Sequence, residues 1–142
     1  MDLAQLDTKQ AANSGRELVI VDPATNRDTD IKIILAGQDS DIYQELDREA
    51  SRKRFKVLKK RQELNLTPEE VEEEQLQLLV SCTLGWSGLT EGGKAIAFSA
   101  GEAKRIYQQY PVIRRQVVAF VGSEANFLPE SPVILPKPSK QS

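Results

Sequence analysis

Thr67-Pro68-Glu69-Glu70 constrains the fold of this chain more than any other four residues. A threonine hydroxyl can accept from the backbone two or three residues on. Proline suits the first helical position, and a glutamate at the third can reach back to the free N–H of the cap. A helix must therefore begin here. It continues with Val71, Leu78, Leu79 and Cys82 on one stripe and Leu76 and Val80 on another. A helix that is apolar nearly all round after Gln75 needs neighbours on several sides. The spacing predicts a central helix over 68–84, ended by Gly85 as a left-handed cap.

The rest of the chain supplies those neighbours. Glu17 to Val21 and Asp30 to Ala36 are β-branched runs separated by Asp22-Pro23-Ala24-Thr25-Asn26, where proline fixes φ and Asp and Asn offer local side-chain bonds. A hairpin over 17–36 is expected. A lone hairpin is marginal in water, so it must pack on a helix or pair with another chain, for which 30–36 is the candidate edge. After Gly37, one of Asp39, Ser40 or Asp41 can cap a helix over 41–65, with Tyr43, Leu46, Ala50, Val57 and Leu58 near helical spacing and Arg54 interrupting. Ser99 and Glu102 form a second capping box. Ala103, Ile106, Tyr107 and Tyr110 then lie on one face of a helix over 100–110. Pro111 interrupts, and Ile113, Val117, Phe120 and Val121 repeat the pattern over 112–124. The expected class is α+β, mostly α: a single domain over 17–128, built as an N-terminal β-hairpin followed by about four helices. A flexible arm over 1–16 and a disordered, proline-rich tail over 129–142 flank it.

Composition narrows the chemistry. The chain has 142 residues, 39% of them apolar and 6% aromatic, enough for one modest core. It has no histidine and one cysteine, Cys82, in an apolar run. The commonest general base is missing, and neither an intramolecular disulfide nor a thiolate cluster can form. Ser81, Ser87 and Ser99 have no histidine to activate them. Gly88 to Gly93 has the spacing of a phosphate loop, but Ala95 stands where a Mg²⁺-binding hydroxyl is required, and a helix precedes it instead of a strand. Glu69 to Glu74 lacks the Asn, Asp and Gly pattern of a calcium loop. The expectation is a protein that is not an enzyme and uses no cofactor or metal. The polar start, MDLAQLDTKQ, does not read as a secretory signal, and no apolar run approaches the ~20 residues that span a bilayer. A cytoplasmic location without membrane contact is expected.

Residues 48–61 hold eight Lys or Arg against one Glu, and residues 63–74 then hold six Glu. Arg52, Lys53, Arg54, Lys56, Lys59 and Lys60 are candidate interface charges. Three readings compete: a solvated or partner-facing helix, a charge contact between copies of the chain, and nucleic-acid binding. The near-neutral net charge of −2 and the lack of aromatic stacking platforms weigh against the last. Opposite blocks on consecutive helices favour self-association.

The stretch from Leu84 to Phe127 carries a family resemblance. Its elements are Gly85-Trp86-Ser87-Gly88-Leu89, Phe98-Ser99, Tyr107 to Pro111, Ile113-Arg114 with Gln116-Val117, Val121-Gly122 and Ala125-Asn126-Phe127. This stretch, about a third of the chain, resembles the C-terminal part of tail assembly chaperones of long-tailed (siphovirus-type) bacteriophages and prophages. It departs from that pattern at Val112, where an aromatic residue is usual, and at Ser123-Glu124, where Asp-Arg is usual. The resemblance implies a chaperone of the bacterial host cytoplasm that binds the tape measure protein, keeps its hydrophobic helices from aggregating and helps recruit tail tube protein. Such proteins are absent from the finished virion. Members often exist also as a frameshifted long form, and Leu135-Pro136-Lys137 permits the slippery string that a −1 frameshift needs. Candidate client contacts are Trp86, Leu89, Phe98, Tyr107, Tyr110 and Phe127. Trp86 itself reads either as a core anchor at a helix end or as a partner-facing anchor. Two alternatives are a structural minor tail protein of the virion and a small nucleic-acid-binding regulator using 48–61.

Overall fold

A computed structural model describes residues 1–61 and 67–129. The expected class holds: a β-hairpin is followed by four helices. Strand β1 (Arg16–Asp22) turns through Pro23 into β2 (Arg27–Leu35), antiparallel, with Leu18 opposite Ile33. The turn uses the expected chemistry. Asp22 Oδ1 accepts from Ala24 N at 2.9 Å, and Asn26 takes the left-handed conformation at φ 59°. Between Val19 and Val21 the register slips. Thr29 fills the slip: its hydroxyl donates to Ile20 O at 2.7 Å and accepts from Ile31 N at 3.2 Å.

Helix α2 (Asp41–Arg61) leaves the sheet, and α3 (Pro68–Cys82) returns to it. The Thr67 box forms as expected, with Glu70 N on Thr67 Oγ1 at 3.1 Å and Thr67 N on Glu70 Oε1 at 2.9 Å. The expected end of the 41–65 helix lies outside the described residues. Helices α4 (Ala100–Gln109) and α5 (Pro111–Val121) complete the set, and a 3₁₀ turn follows at Glu124–Phe127. Ser99 caps α4 through Glu102 N at 3.1 Å, but the Glu102 carboxylate turns to Arg105 Nε at 2.7 Å instead of closing the box.

Three expectations need correction. The 68–84 helix stops at Cys82, and Thr83–Ser87 forms a third strand, β3, antiparallel to β2. Gly85 is therefore not a helix cap; it lies in β3 opposite Ile34. Backbone pairing to β2 outcompetes another helical turn because Thr83 is β-branched and its hydroxyl closes the helix on Leu79 O at 2.8 Å. As a result β2 is the central strand of the order β1-β2-β3, so 30–36 offers no open edge to a second copy. Finally, the arm over 1–16 holds a 3₁₀ turn (Leu3–Leu6) and a short helix, α1 (Lys9–Ser14). Ala11 and Ala12 are buried, because two small residues let α1 lie directly on Phe127. Gly37 N donates to Ala12 O and Asp41 N to Asn13 Oδ1, which ties α1 to the start of α2.

The core lies between one face of the sheet and helices α3, α4 and α5. Ile20, Ile33 and Leu35 meet Leu76, Leu79, Ile106, Tyr107 and Val117 there. Helix α3 packs against α2, α4 and β3, while Gln75 and Gln77 leave one side of its C-terminal half exposed. Gly88, at φ 73°, lets the chain leave β3 against the Asp30 backbone: a Cβ there would sit 2.0 Å from Asp30 O.

Candidate functional site

Helices α2 and α3 form an antiparallel αα-hairpin. The crevice between them is lined by Leu46 and Leu78 in one stretch and by Val57 and Glu69 in the next. Ser40 starts α2 by donating to Gly37 O at 2.6 Å and accepting from Tyr43 N at 3.2 Å. Tyr43, Leu46, Ala50, Arg54 and Val57 make the inner stripe of α2, and each is only half-buried. No residue of α2 with a described side chain is fully buried. Helix α3 differs. Leu76, Leu79 and Val80 point into the core, and Val71 and Leu78 lie on the α2 side. Ile42, Phe55, Leu58 and Val71 remain exposed, Phe55 at 67% of its full area. The crevice comprises two adjoining stretches of about 470 and 520 Å³.

The charges sort themselves within the chain. Arg54 meets Glu74 at 2.6 Å across the hairpin, Lys104 of α4 meets Glu73 at 3.0 Å, and Arg114 of α5 meets Glu72 at 2.9 Å. The acidic run is thus bridged to three helices. Arg48 and Arg52 both turn to Glu45 on their own helix. Lys53, Lys56, Lys59 and Lys60 make no ion pair with any described residue. Exposed pairs contribute little each, typically below about 1 kcal/mol, so these bridges orient α3 more than they hold it.

The six candidate client contacts do not form one surface. Leu89, Tyr107 and Phe127 are buried in the chain's own core. Tyr107 is sealed beneath β3, where its hydroxyl lies 2.6 Å from Thr83 Oγ1. Phe127 sits under α1 and meets Phe120 edge-on at 5.6 Å. Tyr110 donates its hydroxyl to Glu91, which also receives Arg105 at 3.0 and 3.2 Å. That cluster fastens a two-stranded turn, β4 (Thr90–Glu91) and β5 (Lys94–Ala95), onto α4. Trp86 is half-buried. Its Nε1 donates to Ile96 O at 2.8 Å, and its ring meets Phe98 edge-on at 5.0 Å. Phe98 alone of the six is exposed, at 39%.

The perturbed ionisable groups are all pushed away from neutrality. Burial raises Cys82 to about 11 and Tyr107 to about 12. Burial, then the Asp47 charge, raises Tyr43. The Arg105 guanidinium, followed by the Tyr110 hydroxyl, holds Glu91 below the usual carboxylate range, and Glu91 in turn raises Tyr110 and Arg105. At neutral pH each of these groups keeps one protonation state, which suits structural hydrogen bonds.

Among the described residues, no helix is long and apolar enough to cross a membrane, and no three His, Cys, Asp or Glu side chains are grouped to hold a metal ion. No family model matches the chain, and neither a curated protein nor a solved structure does.

Proposed function

We propose that this protein is a non-enzymatic tail assembly chaperone of long-tailed phages or prophages, acting in the bacterial host cytoplasm on the tape measure protein. Tail tube protein is a second partner, reached through a frameshifted long form. The resemblance of 84–127 motivates the identity, and one structural observation supports the activity. Helix α2 runs 21 residues from Asp41 to Arg61 and buries no described side chain fully. Most helical stability in proteins comes from burying an apolar face. A helix that buries so little of its own, beside exposed Phe55, Leu58 and Val71, is suited to cover an apolar face on another molecule. The crevice would take a client helix in the helix-in-groove mode and shield it until assembly.

Co-expression with the tape measure protein of the same gene cluster tests this. The tape measure protein should stay soluble and co-purify with the chain. Phe55→Ser with Leu58→Ser should release it while the melting temperature of the chain holds. A tape measure protein that aggregates equally with and without the chain would refute the reading. Stoichiometric recovery of the chain from purified particles would favour a minor tail protein instead.

A further inference from the structure

We propose that helix α1 is a strap that hinges at Gly15 and lifts off Phe127 without the core opening. The buried apolar residues fall into two clusters. The larger lies between the sheet and α3, α4 and α5. The smaller consists of Ala11, Ala12 and Phe127, with half-buried Phe120 packed against both clusters. Helix α1 has six residues, too few to hold a helix unaided. Asp7 Oδ1 supports its first turn by accepting from Lys9 N at 3.0 Å, while the Thr8 hydroxyl donates away from it to Asp39. Its other ties to the body converge on the same short stretch. Gly37 N donates to Ala12 O at 3.1 Å, Asp41 N donates to Asn13 Oδ1 at 2.7 Å, and Lys9 lies 3.7 Å from Asp41 with both side chains exposed. Two alanine side chains add little apolar area, and the seat beneath them is Phe127, more than 100 positions further along the chain.

The break points lie outside the sheet. Gly15, at φ 90° and ψ 155°, joins α1 to β1 in a conformation suited to glycine, and the β1 ladder begins one residue later with Arg16 opposite Leu35. Lifting α1 parts its contacts with 37–41 and Phe127 and leaves the strand pairing whole. Ile33, Leu35, Tyr107 and Val117 keep their neighbours, since none belongs to the smaller cluster. Such satellite units open at a lower free energy than the whole fold. The opening uncovers the Phe127 ring, which is 2% exposed with the strap down and rests on Gly37 and edge-on to Phe120. One local movement thus exposes a candidate client contact that the closed fold hides, at a place separate from the α2/α3 crevice.

Amide hydrogen exchange of the full chain, resolved residue by residue by NMR, tests this. Ala12 N and Gly15 N are bonded inside the strap at 2.9 Å each, and Gly37 N is bonded to it from the body. These three amides should share one level of protection, about 100-fold or more below that of the best protected β2 amides. Low urea should change it little, because the opening exposes little surface. Ala12→Glu prevents the strap from seating, and Phe127→Ala removes the seat. Each should abolish protection at Gly15 and Gly37 while β2 stays protected. Where Phe127→Ala fails to fold, Ala12→Glu decides alone. Strap amides as protected as β2, with the same urea dependence, would overturn the proposal by making α1 part of the core unit. So would an Ala12→Glu chain that unfolds throughout, or one in which Gly37 keeps its protection.

Discussion

The buried pair Thr83 and Tyr107 gives a prediction whose size follows from counting protons. A threonine hydroxyl has one proton, and Thr83 Oγ1 lies 2.8 Å from Leu79 O, which can only accept. That proton is therefore committed, and in the 2.6 Å contact Tyr107 must be the donor. Both residues are buried, Thr83 at 5% and Tyr107 at 0% exposure. Tyr107→Phe removes a donor but leaves Thr83 still bonded to Leu79, so it should cost about 1 kcal/mol. Thr83→Val removes two contacts at once. It strips the Tyr107 hydroxyl of its acceptor and the Leu79 carbonyl of its side-chain donor, and should cost about 2–4 kcal/mol, since each orphaned buried group costs about 1–3 kcal/mol. In the double variant the orphaned hydroxyl no longer exists, so the loss should fall short of the sum by roughly 1–2 kcal/mol. Urea denaturation followed by Trp86 fluorescence measures all three. For a chain of this size the melting temperature should drop by about 4 °C per kcal/mol. A Thr83→Val variant milder than Tyr107→Phe, or strictly additive losses, would refute the assigned donor direction.

Three further outcomes are expected. Gly88→Ala should cost about 3 kcal/mol or more, because its Cβ would fall 2.0 Å from Asp30 O, whereas Gly92→Ala, also at positive φ but in open space, should cost only about 1–2 kcal/mol; equal melting temperatures for the two would contradict the close approach. Trp86→Ala should lose about 2–3 kcal/mol, below the ~3–5 kcal/mol of a fully buried Trp, because its ring is half-exposed; an unfolding midpoint matching the parent would leave the Ile96 hydrogen bond and the Phe98 contact without energetic weight. Glu91 has a depressed pKa, so its contribution is present above the unfolded value near ~4.3 and is lost as pH falls through the folded value. Melting curves from pH 2.5 to 6 should show Glu91→Gln flattening the acid limb relative to the parent, and parallel limbs would refute the linkage.

What the sequence made legible was whatever local chemistry decides. The Thr67 box, the Asp22 to Asn26 turn and the 103, 106 and 107 stripe depend on neighbours within a few residues and appear as expected, while Tyr110 lies just past the end of α4 and is half-buried. What it hid depends on partners far along the chain. Strand β3 is five residues long and follows a helix without a break, so no turn signal separates them, and only pairing with β2 makes it a strand. Helix α1 is six residues long, too short for periodicity to register, and is fixed by Phe127 more than 100 positions away. The charge blocks were visible, but not their pairing. Lys104 and Arg114 reach Glu73 and Glu72 from helices the sequence places 31 and 42 residues downstream.

The same distinction bears on the resemblance. The candidate client contacts are aromatic and apolar residues of the matched stretch. In this fold Leu89, Tyr107 and Phe127 are interior, while Trp86 and Tyr110 are engaged with Ile96 and Glu91. A resemblance carried by interior residues speaks first to how a chain packs. What it touches must be sought on the surfaces that such packing leaves uncovered. Here one such surface is α2, which lies wholly outside 84–127 and whose half-buried stripe packs chiefly against α3. Phe55 and Leu58 are exposed, so substitutions there should leave the core undisturbed and report on the proposed client contact. Substitutions at the interior positions of the matched stretch would report on folding before they reported on any partner.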